Sequence, residues 1–350
     1  MGRPWYRVDQ FLNRPIVSFI AAGCIVSLCG AILIGGLAFA GSLYTFPKPT
    51  PLVFVLPTQP ENTATPQPVV ENPVILPATP TGPQGKIVYV CQIFASQQSD
   101  QLCIINADGT GQSRLTLNDD ARHFYPSFSP DGQSVIFSSN MDGNFRLYEL
   151  VLPTNQLISL NRIVGIAPEV SPDNRYIAYT QGNGQRDTIW VADRRGGNPR
   201  QVYDAGWDPT WSPDSNSILF ATMVGEKAQL AIIGLDGTGF RIISDLPDLR
   251  GRSDWSSDGL HIVTYSGKPW ARELFLLDLD GSDARQVSLA GGNSQGPGFS
   301  PNGQWIVFTA YYDHYRVNNG CEIYIMRLDG SNRTRLTDNN YCDWQPRWGP

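Results

Sequence analysis

Pro126-Ser-Phe-Ser-Pro-Asp-Gly132 decides the reading, because the chain repeats it. Pro168-Glu-Val-Ser-Pro-Asp-Asn174, Pro209-Thr-Trp-Ser-Pro-Asp-Ser215, Ser253-Asp-Trp-Ser-Ser-Asp-Gly259 and Pro297-Gly-Phe-Ser-Pro-Asn-Gly303 follow. A sixth copy, Pro346-Arg-Trp-Gly-Pro350, stops at the last residue. Taking the residue after the Phe, Val or Trp as reference, the copies fall at 129, 171, 212, 256, 300 and 349, spaced by 41 to 49 residues. Repeats of that period belong to propellers and solenoids.

Each unit carries a second landmark. Asp108-Gly109, Asp236-Gly237, Asp280-Gly281 and Asp329-Gly330 close apolar runs that begin at Leu102, Leu230, Leu274 and Ile323. Asp-Gly between apolar runs is a strong hairpin signal, because glycine accepts the positive φ such turns need. Pro153-Thr154 and Arg195-Gly196-Gly197 take this place in the other two units. Each unit then reads as four strands: A (the Phe/Trp-Ser-Pro run), B (such as Val135–Ser139), C and D. Four-stranded units repeated radially make a propeller. The domain opens on a B strand, Lys86–Cys91, and closes on an A strand, Gln345–Trp348. Pairing the two gives a composite blade with three strands from the start and one from the end. The expected fold class is all-β, a six-bladed β-propeller of four-stranded blades with 3+1 ring closure.

These residues resemble the TolB-type propeller repeat, whose signature joins a Ser-Pro-Asp-Gly turn to an apolar strand ending in Asp-Gly. The resemblance covers all six units, roughly residues 85–350, with Ser257, Asn302 and Gly349 as departures. It implies a binding platform. TolB itself carries a further N-terminal domain where this chain has an anchor and stalk, so TolB's own partner does not carry over.

From Ile16 to Tyr44 no residue is charged, a run of 29 residues. As a helix it would be roughly 43 Å long, enough to cross a ~30 Å hydrocarbon core with tilt. Arg3, Arg7 and Arg14 precede it and only Lys48 closely follows. The positive-inside rule then places residues 1–15 in the cytoplasm and the propeller outside, at a bacterial cell surface or in the periplasm. Two other readings compete with an uncleaved anchor. Ala38-Phe39-Ala40 has the small-residue pattern of a signal-peptidase site, although the apolar run before it exceeds the usual ~7–15 residues. Ala21-Ala22-Gly23-Cys24 faintly resembles an acylation box, but apolar residues continue past Cys24. Residues 45–84 form a proline- and threonine-rich linker, expected to be disordered and largely extended, spanning at most roughly 120 Å at ~3.1 Å per residue.

The chain carries a net charge of -6, with only 17% charged residues. No basic block stands out in the propeller, which argues against a phosphate-backbone partner, so no nucleic acid is expected. Cys24 and Cys29 lie in the apolar span; Cys91, Cys103, Cys321 and Cys342 lie in the repeats. An even number in an exported domain favours disulfides over metal ligation. Cys91 ends a B strand and Cys103 begins the following C strand, so both approach one hairpin end. Cys321 precedes a C strand and Cys342 follows the next D strand, at one face of the same blade. The expected pairs are Cys91–Cys103 and Cys321–Cys342.

Other motifs have local explanations. Asp131, Asp173, Asp214 and Asp258 occupy A–B turns, where aspartate bonds its own backbone. Phe128, Val170, Trp211, Trp255, Phe299 and Trp348 share one strand position and read as inter-blade core. Gly292-Asn293-Ser294-Gln295-Gly296 has the G-x-S-x-G spelling, but that motif needs a helix after it, and Pro297 and an A strand follow. Asp278-Leu-Asp280-Gly281-Ser-Asp283 lacks the glutamate of a calcium loop. His123, His261 and His314 fall at unrelated positions of the repeat. No metal and no cofactor are expected.

Strand A lines the channel of a propeller, so the D–A loops that feed it surround one mouth. They contribute His123, Phe124, Tyr125, Trp207, Asp208, Arg252, Asp254, Ser294, Gln295, Asp343 and Trp344, a mixture of aromatics, acids and an arginine suited to peptide or glycan. The long B–C loop adds Tyr311, Tyr312, His314 and Tyr315. The expected partner-binding set is His123, Tyr125, Trp207, Asp208, Arg252, Asp254, Gln295, Asp343 and Trp344. The function it implies is a membrane-anchored, non-enzymatic binding or scaffold module for a protein, peptide or cell-envelope glycan. The alternative is a channel-centred hydrolase or lyase acting on carbohydrate or peptide, which requires His123, Asp208, Arg252, Asp254 and Asp343 to converge.

Overall fold

The recurring Ser-Pro-Asp-Gly phrase ties its own turn. In the first copy Ser129 Oγ donates to Asp131 Oδ1 at 2.6 Å, and the same carboxylate accepts the Gln133 amide at 3.0 Å. Ser171–Asp173, Ser212–Asp214, Ser256–Asp258 and Ser300–Asn302 repeat the pattern. Hydrogen bonds from the serine hydroxyls hold Asp131, Asp214 and Asp258 below the usual carboxylate range. The turn acids are thereby spent on chain reversal. The C–D hairpins use the same device, with Asp108, Asp236, Asp280 and Asp329 each accepting an amide two residues on.

A computed structural model describes residues 82–94, 99–182, 186–313 and 320–350. The span expected at 16–44, the linker through residue 81, Cys24, Cys29, His314 and Tyr315 lie outside the described residues. Within them the chain forms six four-stranded antiparallel sheets. Blade 1 is composite: Asp343–Gly349 is its innermost strand, followed outward by Lys86–Phe94, Ser99–Asn106 and Ser113–Arg114. Blades 2 to 6 follow in order, with innermost strands His123–Phe128, Ile166–Val170, Trp207–Trp211, Asp254–Trp255 and Gln295–Phe299. Ring closure is 3+1, with Lys86 opposite Gly349 and Ile87 opposite Trp348. The first strand runs on to Phe94, past the expected end at Cys91.

Each blade is apolar on both faces and packs on its neighbours. Ile87, Tyr89 and Ile105 of blade 1 meet Val307, Ile323 and Ile325 of blade 6 in one buried cluster. Phe128, Val170, Trp211, Phe299 and Trp348 are buried as inter-blade core, and Trp255 is half-buried. Trp211 Nε1 also donates to the Glu169 carbonyl of the preceding blade at 3.0 Å.

Both cysteine pairs form, with Cα–Cα distances of 5.9 Å for Cys91–Cys103 and 4.5 Å for Cys321–Cys342. One expectation is corrected. Cys321 and Cys342 do not share a blade, because Cys342 lies beyond the short D strand Thr334–Arg335, where the chain has already crossed to blade 1. This bridge therefore joins blade 6 to the residue that leads into the innermost strand of blade 1.

Candidate binding funnel

The innermost strands share a local distortion. Tyr125, Ala167, Asp208, Arg252, Gly296 and Gln345, one per blade, all have positive φ between 50° and 59°. All but Arg252 precede proline. The strand register slips at this point in blades 1, 2, 3, 4 and 6. A bulge re-aims the side chains beside it, so the repeat sets six re-aimed positions around the channel, and the sequence varies what stands there.

The upper ring is polar and aromatic. Gln345 Oε1 accepts the Tyr125 amide at 2.8 Å, the Arg252 guanidinium lies 5.3 Å from the Tyr125 ring centroid, and Arg252 Nη2 donates to the Pro126 carbonyl at 2.9 Å. Burial pushes the Asp208 carboxyl up to about 6, against the pull of Arg252 and Arg347. Its Oδ2 and the Trp207 indole sit directly over Gly251, where an added Cβ would lie 2.1 Å from the oxygen and 2.7 Å from the ring. Asp208 and Trp207 remain half-buried, open to water.

Two residues further along each strand a second ring closes the floor. Arg347 Nε donates to Glu169 Oε1 at 2.8 Å, Nη1 to the Pro297 carbonyl at 2.9 Å and Nη2 to the Ser253 carbonyl at 3.2 Å. Glu169 also accepts from Ser127 Oγ. Asp254 faces the same arginine and accepts the Phe299 amide at 2.7 Å, and burial pushes its carboxyl up while Arg347 pulls it down. A Cβ at Gly298 would lie 3.5 Å from both Arg347 Nη1 and Asp254 Oδ2, in ordinary contact with the plug.

The expected set separates into distinct places. Tyr125, Asp208 and Arg252 meet in the funnel with Trp207 beside them. Gln295 stands at its edge, accepting from Arg272 Nη1. Asp254 belongs to the floor. Trp344 packs edge-on against Phe124 at 5.6 Å. His123 is 1% exposed and meets Phe137 edge-on at 5.5 Å, and burial drives its pKa down to about 4, so it is a neutral wall residue. Asp343 is 1% exposed and borders a separate cleft of about 320 Å³ beside the Cys91–Cys103 bridge. Asn339 Nδ2 donates to Asp343 at 2.8 Å. Among the described residues no group of three metal-ligating side chains occurs. Gln345, Glu169 and Arg347 were missed in the sequence. Their signal was their phase, the residue before the recurrent proline and the residue after it.

The fold and its bulged inner ring define a six-bladed propeller with a polar funnel plugged at its floor. The family model of the TolB beta propeller domain matches residues 62–251, and the chain belongs to that family. An uncharacterised protein of Agrobacterium fabrum is 27% identical over 193 residues, covering 53% of this chain and 62% of that one. An uncharacterised peptidase of Bacillus subtilis is 26% identical over 205 residues, covering 44% of this chain and 31% of that one. The chain thus spans less than two thirds of either curated relative. The crystal structure of TolB from Acinetobacter baumannii superposes with a TM-score of 0.68 at 21% identity, over 77% of this chain and 68% of that one. That likeness concerns the fold.

Proposed function

We propose that this chain is a non-enzymatic binding module that receives a polypeptide at the funnel mouth. An N-terminal anchor at residues 16–44 would hold it at the membrane, with the linker spacing the propeller outside the cytoplasm. The observation that carries this reading is the dispersal of the candidate catalytic groups. His123 is in the wall, Asp254 is held in the floor by the Phe299 and Trp255 amides, and Asp343 lies at a different cleft. The funnel instead presents aromatic rings beside single charged groups, the composition of protein interfaces. The hydrolase or lyase alternative requires convergence that this geometry does not support.

The test uses the full-length chain in its native membrane, cross-linked and captured beside a Trp207→Ala variant. Partners captured by the wild type should be lost by the variant. Equal capture by both proteins would rule out the funnel mouth.

A further inference from the structure

Four of the other partly buried arginines of the propeller hold carboxylates: Arg122 pairs with Asp100, Arg194 with Glu149, Arg335 with Asp313 and Arg347 with Glu169. Three arginines at the mouth of blade 5 do not. Arg250, Arg252 and Arg272 have no carboxylate within ion-pair distance among the described residues, and the Nε of each is buried without a hydrogen-bond partner. Their placement follows from the backbone. The Arg250 amide donates to the Tyr265 carbonyl at 3.2 Å, and Arg252 stands two residues on. Tyr265 pairs with Leu274 across the B–C hairpin of the blade, which sets Arg272 on the same sheet face as the tyrosine. Burial pushes the Tyr265 hydroxyl up, while Arg272, Arg250 and Arg252 all pull it back down. Like-charge crowding by Arg250 adds to burial in lowering Arg272.

Guanidinium groups stay charged at neutral pH, and buried charge is costly unless paired. Arg252 is only 5% exposed, and Asp208, the acid that reaches Tyr265 from blade 4, forms no ion pair with it. An excess of positive charge therefore lines one wall of a domain that is acidic as a whole. We propose that Arg250, Arg252 and Arg272, converging on Tyr265, receive a carboxylate of an acidic polypeptide segment. The proposal rests on reading the funnel as a polypeptide-binding mouth. The guanidinium fork matches a planar carboxylate with two parallel hydrogen bonds. Flanking residues of such a segment would meet Trp207 on one side, and on the other Trp270, which packs edge-on against Tyr311 at 5.0 Å.

The net acidity of the chain makes the test discriminating, because a general field attracts cationic peptides and repels anionic ones. Fluorescein-labelled hexaglutamate is titrated by anisotropy into the full-length chain in uncharged detergent, beside labelled hexaglutamine and hexalysine. Unlabelled inorganic phosphate and a hexameric uronic-acid oligosaccharide serve as competitors. Hexaglutamate should bind the wild type more tightly than either control, and Arg250→Gln/Arg272→Gln should weaken it at least tenfold. The Arg250→Lys/Arg272→Lys pair, which keeps charge and loses the forks, should weaken it severalfold and covers the case in which the glutamine pair does not fold. Absence of hexaglutamate binding, or unchanged affinity in the lysine pair, overturns the proposal. Stronger competition by phosphate or the uronic acid than by unlabelled hexaglutamate also overturns it, assigning the wall to a different anion. If the membrane capture is lost in the tryptophan variant but kept in the arginine variants, the funnel reading stands and this one falls.

Discussion

Arg347, three residues from the end of the chain, donates through Nε to Glu169 Oε1 at 2.8 Å across the channel floor. The two side chains are 7% and 12% exposed, and they join blade 1 to blade 3 over 178 residues of sequence. Removing one partner of a buried pair leaves the other charge uncompensated, at a cost of about 3–5 kcal/mol. Glu169→Ala should lower stability by about 3 kcal/mol, read as a shift of the urea midpoint by tryptophan fluorescence. Replacing both residues by apolar ones should cost less than the two single changes summed. Additive losses would mean that the pair is not coupled.

Asp343 gives a pH dependence with a defined sign. Burial, with the Glu322 charge adding to it, pushes its carboxyl up to about 7. In the unfolded chain an aspartate titrates near ~3.9, so the folded state holds the proton more tightly. The stabilising contribution is complete below about pH 4 and is lost as pH rises through about 7. Asp343→Asn keeps an acceptor for Asn339 and removes the titration. Its melting temperature relative to the wild type should rise between pH 5 and pH 8. A constant difference would show that Asp343 is already ionised at pH 5.

Gly251 tests the funnel without replacing any of its polar or aromatic side chains. Its missing side chain lets the Trp207 indole and Asp208 Oδ2 approach to distances that a Cβ would violate. Gly251→Ala should displace both and reduce partner capture, at a stability cost of about 1–3 kcal/mol from overpacking. Full capture at wild-type levels would exclude this corner of the mouth from the interface.

The Cys321–Cys342 bridge holds blade 6 to the closing strand, with a sequence separation of 21. Loop-closure entropy puts its contribution at about 3 kcal/mol. Cys321→Ser/Cys342→Ser should lower the urea midpoint accordingly and accelerate exchange of the amides that join Lys86–Phe94 to Asp343–Gly349. Peptide mapping without reductant should recover both this bridge and Cys91–Cys103. Free thiols at these positions would remove the claim.

The blade count, the composite first blade and both cysteine pairings were legible because they rest on short-range chemistry. Ser129 finds Asp131 two residues away, and the next four copies repeat the bond. The phase of Lys86 and Trp348 in the repeat leaves closure as the way to complete a four-stranded blade. The blade assignment of Cys342 was misplaced for a local reason: the D strand Thr334–Arg335 is only two residues long, and the chain leaves the blade sooner than its pattern implies. His123 illustrates a different limit. It begins an inner strand that feeds the mouth, yet its side chain turns into the sheet packing beside Phe137.

The sequence by itself determined that this protein closes six four-stranded blades into a ring, since period, turn chemistry and terminal phase are properties of neighbouring residues. It also determined that Tyr125, Asp208 and Arg252 face one end of that ring. Only the tertiary structure decided which of these groups meet. Glu169 and Arg347 pair, Asp254 becomes floor, and Arg250 and Arg272 gather at Tyr265 because closure and the inner-strand bulges bring distant positions to one axis. A linear repeat fixes each residue's height in its blade, whereas contacts across a channel depend on side-chain length and direction around the closed ring.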